Sequence, residues 1–576
     1  MSRALLYLLL FIIYAVPAHG QASAQNSPAR VAAAERYPGS DLGARIQAAD
    51  QALASAPGVI TVNVAGDLQT SFTLHRGHDL SLRASVHWAA TATLEGSNNI
   101  SCAKGTTIRS TLPAYDFGGQ TGMLLLTKGG SQISIHDCRF EASAPSVVLA
   151  GYPVSNLTMS GNMLTGLSLV ATNGATSTDL NLSDNTIDYP ASNGRNAGIL
   201  LFFAKRVRAT GNHLTRNPHG IQWWGGNSGD PGANLKQVTA AGEMTFSGNV
   251  CKAIGGACIW GSMGYDIQIA GNSADGCGDI CFDTEGGLRT TIANNTAAGC
   301  NNGCAAIFFF TDQTSITKNH FSGMAPGGGL IFIKNVSQNP ISHDHLNITD
   351  NDLRCTPGVC QAVHSEAAAG VRFERNEVLN GTYVPVGYGA RVSITHNHWV
   401  FSQALPAKTA AIVAPGMVGG STLEVTRNQI ESNALQNSES ACILSGWSDY
   451  NATDFHFITE NVCGGSRPFP IGLVVITNGA NLGPRALWFL GGNTFSSGKI
   501  DHQVITKNEV FTDLGECTGT GCGAAGTETG SAVSRAAAAC DGGQAGAQRR
   551  PAPGLVEVCA PNLDGAWQWR AVRVPK

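Results

Sequence analysis

Charge is scarce in this chain. Asp, Glu, Lys and Arg make up 13% of its 576 residues, and the formal balance is −4. So weak and mixed a charge gives no electrostatic case for nucleic acid or an anionic membrane as partner. Long apolar runs are scarce too: Leu5 to Val16 is too short to span a bilayer, and no later segment reaches transmembrane length. Among the 16 cysteines there is no Cys-x-x-Cys knuckle and no accompanying histidine pair, so disulfides are the expectation and a zinc cluster the runner-up. Glycine, by contrast, is abundant at 70 residues, which fits strands joined by many tight corners.

The N-terminus reads as an export signal over residues 1–20, with Arg3 before the apolar run and small residues Ala18 and Gly20 placing cleavage before Gln21. Ala22 and Ala24 offer a second site. A secreted, extracellular or periplasmic protein follows as the expectation, and closely spaced cysteines agree with it. The pairs suggested by spacing are Cys251/Cys258, Cys277/Cys281, Cys300/Cys304, Cys355/Cys360 and Cys517/Cys522. Cys102/Cys138, Cys442/Cys463 and Cys540/Cys559 remain as partners for the rest.

Thirteen asparagines recur in one local setting: Asn162, Asn185, Asn212, Asn249, Asn272, Asn295, Asn319, Asn351, Asn376, Asn397, Asn428, Asn461 and Asn493. Most follow a short apolar/polar alternation, as in Leu157-Thr-Met-Ser-Gly-Asn162 and Val392-Ser-Ile-Thr-His-Asn397. Their intervals run from 21 to 37 residues, with a floor of 21 to 25, as a winding coil with surface insertions would give. Alternation of period two marks strands with one buried face. Asparagine suits the bend after such a strand, because it tolerates a left-handed backbone, and stacked amides can bond along the axis. These asparagines are therefore structural, with Cys138 occupying the slot 24 residues before Asn162.

On these residues the chain resembles the right-handed parallel β-helix proteins, the pectate-lyase-like superfamily. The resemblance implies an all-β solenoid, with the coil repeat over about residues 125 to 500. Asp41 to Asp50, followed by Ala56-Pro-Gly-Val-Ile-Thr-Val62, resembles the helix and first strand that plug such solenoids. Asp41 is the expected N-cap, with Leu42, Ile46, Ala49 and Leu53 as the apolar stripe. The expected plan is a polar leader at 21–38 and a β-helix with its cap at 39–512, whose first coils, to about 125, are irregular. A Gly/Ala-rich linker at 513–552 and a C-terminal hairpin at 553–576, turning at Asp564-Gly565, complete it. The tail is a candidate accessory or oligomerisation element; Trp567 and Trp569, on one face of it, are expected to pack. Two long intervals, Gly225 to Gln237 and the stretch between Asn319 and Asn351, read as loops beside a groove.

A second strand in each coil carries the candidate site. Alternation puts Ile259 and Met263 inside with Trp260 and Ser262 outside, then Ile280 and Phe282 inside with Asp283 and Glu285 outside. His364 and Glu366 match the latter two further along and are a second candidate catalytic pair, with a surface hydrogen-bonded pair as the competing reading; Phe332 and Lys334 share the outer face, and either Trp223 or Trp224 faces out. Phe308 to Phe310 read as core stacking, and the direction of Asp312 is open. Asp283 and Glu285, two residues apart on one strand, suit general acid and base on a glycosidic bond. Two like charges so close raise one pKa, as the acid role requires. The indoles, Asp312 and Lys334 are candidate sugar contacts, with a solvated face as the competing reading.

Subfamily motifs fit poorly. Phe282-Asp-Thr-Glu-Gly286, His219-Gly220 and Phe332-Ile-Lys334 echo the polygalacturonase-like hydrolases only in a different order. Asn217-Pro-His-Gly220 resembles the Asp-Pro-His-Asp of alginate-epimerase-like members without its flanking acids, leaving His219 as a candidate acid or base. Lys205, Arg206 and Arg208 lack the dense acidic cluster of calcium-dependent pectate lyases. The expectation is a polysaccharide-active protein that cleaves glycosidic bonds through Asp283 and Glu285. A uronate lyase or epimerase comes second, and a carbohydrate-binding adhesin or scaffold third. No metal ligands or cofactor are picked out, with calcium implied only for a lyase.

Overall fold

The computed structural model describes residues 30–115, 122–127, 129–151, 153–172, 176–189, 197–227, 240–335, 343–366, 370–388, 390–418, 420–448, 454–478, 486–496, 499–503, 509–513, 540, 548–552 and 555–573. The export signal, most of the leader and linker, and much of the two long loops lie outside these residues, as does the Cys517/Cys522 pair.

Strands follow one another around a coil, and each pairs in parallel with its equivalent one coil on. Ile133, Leu157, Leu180, Val207, Met244 and Ile267 form one such vertical series. Their side chains are all buried, so the core is an axial stack of aliphatic residues drawn from successive coils. The chain is a right-handed parallel β-helix.

Regular coils begin earlier than the asparagine repeat indicates. Gly58 pairs with His78 and Leu80 with Ile100, a strict repeat of 20 residues with three short strands per coil. These first coils carry no asparagine ladder, which is why residues 39 to 125 look irregular in sequence. The helix Leu42–Leu53 packs beside them, with Leu42, Ile46, Ala49 and Leu53 buried. Its N-cap Asp41 accepts the Ala44 N–H at 3.1 Å.

From Asn162 onward the ladder is continuous. Each amide Nδ2 donates to the next asparagine's Oδ1, from Asn162–Asn185 to Asn461–Asn493, at 2.9–3.0 Å. The same Nδ2 also donates to a carbonyl of the coil before, as Asn295 does to Ile269 at 2.9 Å. Cys138 holds the first slot, giving its N–H to Asn162 Oδ1 at 3.1 Å and bonding through sulfur to Cys102. One expectation is corrected: the left-handed residue is the one before each asparagine, such as Gly161, Asp184, Asn294 or Arg427, not the asparagine itself. The bend turns the chain there so that the amide points inward to its ladder partner.

Residues 548–552, read from sequence as linker, form a third strand antiparallel to Leu555–Pro561, which in turn pairs with Trp567–Arg573 around the Asp564-Gly565 turn. This small sheet lies on the solenoid. Val558 and Ala560 pack with Phe455, Phe457, Leu487 and Phe489, while Arg570 bonds Glu424 at 2.8 Å and caps the Phe457 ring. Trp567 contributes an edge contact to Phe455.

Among the described residues seven disulfides join Cys102–Cys138, Cys251–Cys258, Cys277–Cys281, Cys300–Cys304, Cys355–Cys360, Cys442–Cys463 and Cys540–Cys559, each a pair that the spacing suggests. So many bridges indicate an oxidising, extracellular-type compartment. No helix among the described residues is long and apolar enough to cross a membrane.

Candidate functional site

The strand register converts the sequence reading into two outward columns on one face. Gln222, Trp260, Asp283, Ala306, Phe332 and His364 occupy the first, and Trp224, Ser262, Glu285, Phe308 and Lys334 the second, with Glu366 next. Between them run buried positions such as Trp223, Thr284, Ile307 and Ile333. Neighbouring rungs are about 4.8 Å apart. His364 therefore stands three rungs, about 14 Å, from Asp283.

Disulfides brace this face. Cys258, Cys281 and Cys304 each lie two residues before a first-column residue (Trp260, Asp283 and Ala306), and each is tied back to the strand preceding it. The corner entering each central strand is thus closed covalently, which limits how far the outward side chains can drift.

Asp283 is buried at 5% exposure and Glu285 is half-buried. Burial raises the Asp283 carboxyl well above the ordinary carboxylate range, and the charges of Glu285 and Asp279 add to the effect. Burial, then Asp279, pushes Glu285 up to about 7. Oδ1 of Asp283 is buried without a hydrogen-bond partner. Asp279 is a third carboxylate that the alternation did not find, because it precedes the strand. It sits inside the Cys277–Cys281 bridge and accepts from Asn302 at 2.6 Å. The legible signal was an acid enclosed by two cysteines four residues apart.

Trp224 and not Trp223 is the outward indole. Trp223 is fully buried, stacked on Phe246 at 5.6 Å, because Ile221 sets the inward phase and Gly261 on the next rung leaves room for the ring. A Cβ at Gly261 would fall 2.1 Å from the indole, so the pair fits only as tryptophan over glycine. Trp223 is thereby removed from the candidate sugar contacts. Trp260 is half-buried and outward as expected, with its ring 5.3 Å from His219. His219 Nδ1 accepts the Ala257 N–H at 3.1 Å, so this histidine braces Trp260, one coil before it and two before Asp283. Ser262, expected outside, lies between Trp224 and Glu285 and is fully covered.

Two further expectations change. Phe308 to Phe310 are half-buried, not core: Ile307 takes the inward position, Phe308 points out, and a left-handed Phe309 shifts the register. Phe308, Phe332 and His364 then form a chain of edge contacts with centroids 5.5 and 5.3 Å apart. Beyond that bulge Asp312 belongs to the adjoining sheet, paired in register with Leu288 and Asp344. There it bonds His345 at 2.8 Å, and His345 faces Asp564 of the C-terminal sheet at 3.6 Å. Asp312 therefore serves the docking of the tail and is not on the face of Asp283.

Lys334 is exposed, with its ammonium 5.9 Å from the Phe332 centroid. Its carbonyl is held by Nε2 of His343, a buried imidazole whose pKa burial lowers to about 4. His364 is engaged at both nitrogens, by Gln361 and Glu366, each at 3.0 Å. The structure thus brings together Asp283, Glu285, Trp260 and Trp224, sets Lys334, His364 and Glu366 further along the same face, and puts His219 at its edge.

No family model and no curated protein match this chain. Solved structures similar to it include DFA-IIIase from Arthrobacter chlorophenolicus A6 without its lid, at 9% identity and TM-score 0.30, covering 84% of this chain and 99% of that one. A tailspike mutant of E. coli bacteriophage HK620 in complex with a pentasaccharide gives 12% identity and TM-score 0.41 over 77% of each chain. PfbA, a surface adhesin of Streptococcus pneumoniae, gives 10% identity and TM-score 0.34 over 66% of this chain and 91% of that one. The likeness is one of fold.

Proposed function

We propose that this protein hydrolyses glycosidic bonds of an extracellular polysaccharide lying along the two outward columns. The observation that carries the reading is the pair Asp283 and Glu285, outward on one strand, both with raised proton affinity, between indoles on one side and Phe308 and Phe332 on the other. Aromatic faces suit the apolar faces of sugars. Asp283, more deeply buried, keeps its proton and gives it to the leaving oxygen. Glu285, nearer solvent, takes a proton from the attacking water. Their Cα atoms are about 6.5–7 Å apart, and side-chain freedom makes the carboxyl spacing compatible with either class of glycosidase, the inverting one being preferred.

Charge favours a neutral polymer. Among the described residues the face carries the carboxylates Asp279, Glu285 and Glu366 against one cation, Lys334, so a polyuronate would meet repulsion where it must bind. Elimination from a uronate also needs a basic group at the sugar; His219 is engaged by Ala257 and Trp260, and Lys334 stands two rungs from Glu285. Incubation with a panel of neutral and uronate-containing glycans tests the proposal. New reducing ends that vanish in Asp283→Asn and Glu285→Gln are expected. An unsaturated uronate product, or retention of glycan without any cleavage, would replace hydrolysis by lyase or adhesin.

A further inference from the structure

Far from the groove, the helix Leu42–Leu53 presents one fully buried acid, Asp50, to a turn carrying two histidines. Asp50 Oδ1 accepts the His75 N–H at 3.1 Å and lies 2.5 Å from His78 Nδ1, while Oδ2 meets His75 Nδ1. The His78 side chain is fully buried and that of His75 is 50% exposed. Asn98, on the following coil, fixes the turn by donating to the carbonyls of both His75 and His78 at 2.8 Å. One ligand atom from each of Asp50, His75 and His78 lies within 4.8 Å of the others. The His78 nitrogen that faces Asp50 is Nδ1; its Nε2, on the other ring edge, is buried without a partner.

We propose that Asp50, His75 and His78 bind one divalent transition-metal ion of the zinc class, tying the helix to the first coils. Two imidazole nitrogens with one carboxylate oxygen suit zinc, cobalt or nickel, whereas calcium and magnesium demand oxygen ligands. Metal–ligand bonds near 2.0–2.1 Å require the donor atoms to part to about 3 Å. His75, at the surface, can make that movement. Its exposed side also admits water as a fourth ligand. The ion would balance the buried carboxylate while each imidazole binds as a neutral ligand.

The test uses full-length protein stripped with a chelator. Cobalt(II) is expected to give a visible absorption band saturating at one ion per chain and displaced by zinc. Zinc should raise Tm by about 2–4 °C, with calcium and magnesium inert. His75→Ala, which removes a half-exposed side chain, should weaken cobalt binding at least ~10-fold and abolish the shift. No band and no shift in the wild type overturns the site. So does a His75→Ala protein that responds like the wild type, or an equal response to calcium.

Discussion

The asparagine ladder and the outward face lie on the same coils and both hold buried polar groups, yet they solve opposite problems. In the ladder every amide is used: Asn295 donates to Ile269 and Asn319 and accepts from Asn272. On the face, one oxygen of Asp283 is buried with nothing to accept from, and its neighbour Glu285 is held near neutrality by burial and by Asp279. A satisfied polar stack is architecture. An unsatisfied acid beside a second, half-buried carboxyl costs stability, and in the proposed hydrolysis this pair is the reacting one.

The largest effect expected is on turnover. Asp283→Asn and Glu285→Gln should each lower kcat by about 10²–10⁴-fold with the fold intact, measured by release of reducing ends and by circular dichroism. A variant that keeps its rate would remove the contrast between the two regions. Next comes the ladder: Asn295→Ala strands the Asn272 donor and should destabilise by about 3 kcal/mol, read as a shift of the urea midpoint. An unchanged midpoint would mean that the amide stack is decoration.

The third effect has the opposite sign. Because Glu285 in the folded chain titrates near 7 against an ordinary 4.5, its ionisation is penalised only when folded. The native state holds that proton more tightly, so stability falls as pH rises from about 4.5 to 7 and stays low above. Glu285→Gln should therefore gain about 2 kcal/mol at pH 8 and nothing at pH 4, measured by chemical denaturation. Activity has the complementary limb: kcat/KM falls below about pH 7 as Glu285, the base, takes up a proton, the value belonging to the coupled pair. The smallest effect is at Trp260→Ala, where loss of a stacking face should raise KM about 10-fold with kcat little changed.

Much of the site was legible because period-two alternation, once anchored on Phe282, must put Asp283 and Glu285 outside. Lys334, Phe332 and His364 followed by the same rule. It failed where the period broke. The left-handed Phe309 shifts the register, so Phe308 faces out and Asp312 passes to the next sheet. Trp223 against Trp224 turned on Gly261, a residue 38 positions away, whose missing side chain makes the space for the indole. The early coils escaped notice because the strands Gly58–Val62, His78–Leu82 and Asn98–Cys102 are not followed by a laddered asparagine.

By itself the sequence determined the winding and its asparagine corners, because both repeat at intervals that local chemistry explains; for the disulfides it offered pairs by spacing alone. Only the tertiary structure decided how deeply Asp283 is buried, that Asp279 joins it, and that Asp50 meets two histidines. Those facts depend on which coil lies over which, and burial and field belong to that stacking and not to any one strand.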